Sequence, residues 1–200
     1  MIDEQLKERV LALGMEMPTA KELELINQFN SGKNFLISGV NQNELNQLLC
    51  IYGISKVNVP TEGSPRLLFI SNTNQEAVRL GKQWTHLIKM HDVTVDLAND
   101  KGNMLLQRND IFDGTEVIIG NCKRIHDLYI QNGINFNMLK YVIVDQLEDI
   151  LKHQGIPQMK RLFESLPKCQ IIITCNFKNS RIQKFIEEDL HDFISLDWEK

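Results

Sequence analysis

The sequence predicts an α/β fold in three layers, with a mostly parallel sheet of about seven strands flanked by helices. Three observations carry that prediction. Short apolar runs rich in Ile and Val recur along the 200 residues, and they read as strands buried on both faces. Longer stretches with helical periodicity lie between them, several opened by a capping residue. Runs and periodic stretches alternate, which is the pattern of βαβ units.

Taken in order, the chain opens with Ile2, Leu6, Val10 and Leu13 on one helical face. A second helix follows Pro18, with Thr19 as N-cap, Glu22 closing a capping box and Gly32 as the stop. NFLIS (34–38) is the first strand. Asn41 and Glu44 repeat the capping device ahead of Leu45, Leu48 and Leu49, and Gly53 is the expected end of that helix. Residues 55–66 read as a loop, and RLLFIS (66–71) as a strand. In the helix NTNQEAVRLGKQWTHLI (72–88), Trp84 stands at helical spacing from Leu80 and Leu87 and is expected in the core. VTVDL (93–97), EVIIG (116–120), YVIVD (141–145) and QIIIT (170–174) are further strands. PQMKRLFESL (157–166) is a helix, and a weaker strand, DFISL (192–196), follows.

Composition narrows the function classes. Apolar content is 42%, charged content 24% and net charge −4, ordinary for a globular domain and unlike a strongly basic nucleic-acid binder. Charge runs through residues 1–13, so no signal peptide is expected there, and no apolar run approaches the ~18 residues of a membrane span. Cys50, Cys122, Cys169 and Cys175 form no CxxC pair and read as reduced thiols of a cytoplasmic protein. No metal site is expected, since neither these cysteines nor His86 and His91 have partners at ligand spacing. A single domain over residues 1–200 is expected.

In a parallel sheet, ligands bind beyond the carboxyl ends of the strands. Those ends read Ser38-Gly39-Val40-Asn41, Ser71-Asn72-Thr73, Gly120-Asn121-Cys122-Lys123-Arg124, Asp145-Gln146-Leu147-Glu148 and Thr174-Cys175-Asn176. In order and spacing they resemble the first RecA-like domain of the DEAD-box RNA helicases, a P-loop NTPase-like fold. LGMEMPT (13–19) and SGKNFLI (31–37) resemble the segments around that family's first helix and strand, and SNTNQEA (71–77) falls on its PTRELA motif. VIIGNCKRIHDL (117–128) resembles the TPGR segment, with Arg124 on the arginine and Asp127 on a following aspartate. YVIVDQLEDIL resembles the strand and DEAD box, and QIIITCN (170–176) the strand and SAT motif.

The resemblance implies ATP and Mg²⁺ as cofactors and single-stranded RNA as substrate. The residues depart from it where the chemistry sits. The family's phosphate loop, GxxxxGK followed by Ser or Thr, brings backbone N–H groups, a lysine and a hydroxyl to the phosphates and Mg²⁺. Here the loop is Ser38, Gly39, Val40, Asn41, Gln42, Asn43 and Glu44, with Leu45 in place of the lysine and Asn46 in place of the hydroxyl. Glu44 puts a carboxylate where a helix N-terminus would hold an anion. Asp145 keeps the metal-binding position, Gln146 replaces the catalytic Glu and cannot accept its proton, and Glu148 takes the box's last place. Thr174 retains a hydroxyl that Asn176 does not, and Glu22, on the adenine-reading Gln, reads first as a cap.

The expectation is therefore a catalytically inactive helicase-like domain with no catalytic residue and no cofactor, its second helicase domain absent. Asn72, Thr73, Lys123 and Arg124 are the implied nucleic-acid residues, with a salt bridge from Arg124 to Asp127 as the plain structural alternative. The implied partners are single-stranded RNA or another protein such as a true helicase, and no membrane. A protein-interaction scaffold or helicase regulator is the alternative function, and a residual ATP-binding enzyme the distant one.

Overall fold

A computed structural model describes residues 2–41, 44–61, 65–89, 91–152, 155–190 and 192–198. Its strands are β1 (Asn34–Ser38), β2 (Leu67–Ser71), β3 (Val95–Ala98), β4 (Val117–Asn121), β5 (Tyr141–Val144), β6 (Gln170–Thr174) and β7 (Phe193–Asp197). They form one sheet in the order β3-β4-β2-β5-β6-β1-β7, and every pair is parallel. The expected three-layer α/β fold is therefore present, with an all-parallel sheet.

The helices are α1 (Glu4–Ala12), α2 (Ala20–Phe29), α3 (Asn46–Lys56), α4 (Asn74–Ile88), α5 (Met104–Asp113), α6 (Cys122–Ile130), α7 (Leu147–Lys152), α8 (Ile156–Glu164) and α9 (Ser180–Asp189). Alternate strand residues divide between two cores, as the period-2 geometry of a strand requires. Phe35, Ile37, Phe69 and Ile143 pack with α1 to α4 on one face, whereas Leu36, Leu68, Ile70, Val142 and Val144 pack with α6 to α9 on the other. Among the described residues no helix is long and apolar enough to cross a membrane.

The Thr19–Glu22 capping box forms on both sides, and Gly32 has φ +72° just beyond α2. Trp84 is fully buried. Three expectations need correction. α3 does not stop at Gly53 but runs to Lys56. The glycine is there for packing, since a Cβ would come within 2.5 Å of Trp84 Cη2. β3 starts two residues later than the run from Val93, and α5, α6, α7 and α9 join the helices named from the sequence. The Asn41–Glu44 pair stands ahead of α3 rather than capping it, because the helix begins at Asn46 with Leu45 as an N-cap that makes no side-chain bond.

Candidate functional site

The loop after β1 is held by its own surroundings. Gly39 takes φ +77°, a left-handed conformation that glycine adopts without steric cost. Its N–H donates to the Asn176 carbonyl at 2.9 Å, and the Val40 N–H donates to the Cys175 carbonyl at 3.1 Å. The Asn41 N–H donates to Glu44 Oε2 at 3.0 Å. Glu44 Oε1 accepts the Trp198 indole N–H at 2.5 Å. Trp198 is anchored from behind by its own N–H to the Ser38 carbonyl at 2.8 Å and by Lys21 Nζ 4.2 Å from the ring centroid. Ser38 Oγ donates to the Leu196 carbonyl at 3.1 Å. Leu45, on the lysine position of the resemblance, is 1% exposed and belongs to the core. Asn43 lies outside the described residues.

Asp145 follows β5 directly, beneath this loop, and is 1% exposed. The Thr174 hydroxyl donates to Asp145 Oδ1 at 2.8 Å and accepts the Gln146 N–H at 3.0 Å. Burial pushes the Asp145 carboxyl up to about 6, against the hydrogen bonds of Thr174 and Asn46, with Glu76 raising it further and Arg79 lowering it. Asn46 is buried in the same group and donates to Glu76 Oε1 at 2.8 Å. Arg79 clasps Glu76 through Nε, at 2.9 and 3.0 Å to the two carboxylate oxygens. Gln146 takes φ +54°, and its amide Nε2 donates to the Val40 carbonyl at 3.2 Å. That contact needs an amide, because a carboxylate in its place would face a carbonyl oxygen with no proton between them. Glu148 is buried and accepts the Asn176 N–H at 2.6 Å, and burial raises its carboxyl despite that bond.

A second group lies at the carboxyl ends of β2 and β4. Asn72, Thr73, Asn121 and Lys123 line one cleft of about 530 Å³ together with Asp100. Thr73 caps α4 by accepting the Glu76 N–H at 3.1 Å, and Asn121 caps α6 by accepting the Arg124 N–H at 2.8 Å. Asn72 Nδ2 donates to Asp149 Oδ2 at 3.2 Å. Arg124 corrects the expectation of an exposed salt bridge with Asp127. It is 8% exposed, its Nη2 donates to the carbonyls of Asp100 at 2.9 Å and Gly102 at 3.2 Å, and its ion pair is with Asp100 at 3.6 Å. It fixes the turn after β3, and Lys123 is the exposed cation beside it.

Sequence reading missed Glu76, Arg79, Asp100 and Asn121 as site residues. Asn121 carried a usable signal, a strand-end Asn three residues before Arg124. The other three reach the sites only through the tertiary arrangement of the sheet.

A family model described as DEAD/DEAH box helicase matches residues 44–179. The chain belongs to the DEAD/DEAH box helicase family. Similar relatives include the ATP-dependent RNA helicase RhlB of Psychromonas ingrahamii, 21% identical over 134 residues that cover 66% of this chain and 32% of the relative. The RhlB of Vibrio vulnificus is 25% identical over 136 residues, 66% of this chain and 31% of the relative. This chain therefore aligns with about a third of the length of those curated relatives. Among solved structures, a DEAD box protein from the hyperthermophile Methanococcus jannaschii superposes with TM-score 0.85 at 14% identity, covering 98% of this chain and 54% of that one. S. cerevisiae dbp5, in a complex with nup159, gle1, IP6 and ADP, superposes with TM-score 0.83 at 16% identity, covering 98% and 52%. In this DEAD/DEAH box domain the box itself reads Asp145-Gln146-Leu147-Glu148.

Proposed function

We propose that this DEAD/DEAH box domain is catalytically inactive and works as a single-stranded RNA-binding accessory module. The observation that carries the reading is the contrast between its two strand-end sites. At the loop, the Gly39 and Val40 N–H groups already donate to Asn176 and Cys175, the Gln146 amide holds the Val40 carbonyl, and Leu45 lies in the core. The residues present do not fit a nucleotide phosphate with Mg²⁺: the cation is replaced by an apolar side chain, and Glu44 adds a negative charge. The other site keeps an open cleft whose donors are Asn72, Thr73 and Lys123. Phosphate contacts of this kind position RNA without reading sequence.

The test is a titration of the protein with a single-stranded RNA at two salt concentrations, beside an ATP-hydrolysis assay. Affinity that falls as salt rises, weakened by Lys123→Ala, with no ATP turnover, is the expected result. ATP turnover abolished by Asp145→Ala would overturn it.

A second reading, a protein-interaction scaffold or helicase regulator, draws on the outer face of α5. Leu105, Leu106 and Phe112 are 62%, 59% and 87% exposed there. Phe112→Ser would then abolish capture of a partner while leaving RNA affinity unchanged.

A further inference from the structure

We infer that Phe177 is a base-stacking platform for single-stranded RNA, with Lys152 and Arg181 beside it to meet the phosphates. The inference rests on the RNA reading above and extends it to a surface outside the Asn72–Lys123 cleft.

Phe177 stands in the turn between β6 and α9, and its side chain is 56% exposed. The turn is braced on both sides. The Asn176 N–H donates to Glu148 Oε1 at 2.6 Å, and Asn179 caps α9 by accepting the Ile182 N–H at 2.9 Å. An exposed ring on a braced turn is presented without the ordering cost of a loose one.

The surroundings decide what the ring suits. A cavity of about 390 Å³ in front of it is lined by Lys152, Ser180 and Arg181, with Glu148 and Asp149 as its acidic members. Both carboxylates have partners, Glu148 in the Asn176 N–H and Asp149 in the Asn72 amide. Arg181 Nη1 reaches the Leu151 carbonyl at 3.4 Å, and Arg181 also lines the neighbouring cavity with Lys184. A protein-docking aromatic would sit within an apolar patch, whereas this one is the apolar member of a polar lining in which Lys152 and Arg181 are the cations. A single aromatic face among cations fits a base and its flanking phosphates. The two cavities are neighbours. Asn72 lines the first cleft, Asp149 lines the second, and the 3.2 Å hydrogen bond between them makes their side chains a shared wall.

The experiment uses fluorescence anisotropy with two labelled ten-nucleotide probes of equal charge, oligoadenylate and its abasic counterpart, on the full chain at low and moderate salt. Wild-type protein is expected to bind oligoadenylate more tightly. Phe177→Ala should weaken oligoadenylate about ten-fold and leave the abasic probe unchanged, in line with the loss of one stacked base. Phe177→Tyr should restore the preference, and Arg181→Ala should weaken both probes and flatten the salt dependence. If Phe177→Ala binds both probes like wild type while Lys123→Ala weakens them, the platform is wrong and the RNA reading stands. If wild-type protein binds neither probe at low salt, both fall. If Phe177→Ala acts as expected but Lys123→Ala does nothing, the platform stands and the cleft is wrong.

Discussion

At the scale of single residues, two substitutions that would restore the family's chemistry on paper are predicted to harm the protein. Leu45→Lys puts an ammonium where the side chain is 1% exposed and packed in the core. It should destabilise the fold by about 3–5 kcal/mol, as an unpaired buried charge does, and gain no ATP binding. Chemical denaturation and nucleotide titration check both halves. Gln146→Glu replaces the donor that bonds the Val40 carbonyl at 3.2 Å with an acceptor. A loss of about 2–3 kcal/mol is expected from two buried acceptors left facing each other. Unchanged stability together with new ATP hydrolysis would show that the loop yields easily. The residue types at these positions were plain in the sequence. The inward turn of Leu45 was legible in its spacing with Leu48 and Leu49, whereas nothing local to Gln146 says that it reaches a carbonyl 106 positions away.

At the scale of elements, two helical glycines make a matched pair. Alanine is favoured over glycine inside a helix by about 1 kcal/mol. Gly53 faces Trp84 and Leu67, where a Cβ would sit at 2.5 and 2.9 Å, so Gly53→Ala should destabilise by about 1–2 kcal/mol net despite that gain. Gly81 meets only the tip of Leu97 at 3.3 Å, and Gly81→Ala should be neutral or stabilising by up to about 1 kcal/mol. Thermal unfolding of the two variants side by side tests the contrast. The same residue explains a misread boundary. Gly53 looked like a helix stop because a glycine's local preference says stop, and only the indole of Trp84 explains a glycine within α3. The strands were legible, since their runs carry little but apolar residues. α5 was overlooked because Leu105, Leu106 and Phe112 point outward and blur the stripe formed by Gln107 and Ile111.

At the scale of the whole molecule, the buried Asp145 sets a pH dependence of stability. Its folded value of about 6 lies above the ordinary unfolded value of about 3.9, so the folded state holds the proton longer. Stability from this group is therefore full below about pH 4 and declines as pH rises through about 6, by roughly 2–3 kcal/mol. Asp145→Asn should remove that decline, and denaturation curves at pH 4, 5, 6 and 7 would read it. A decline of equal size in the variant would assign the effect elsewhere. One contact at the edge of the sheet also has a practical reach. The protein has two tryptophans, Trp84 sealed in the core and Trp198 half-buried with its indole N–H on Glu44. The first is shielded from solvent, while the second is clamped to the loop after β1. The intrinsic emission of the unlabelled chain thus contains one steady component and one that responds to that loop. A shift in colour or quenching on adding any ligand would report whether the loop had moved, with no dye attached.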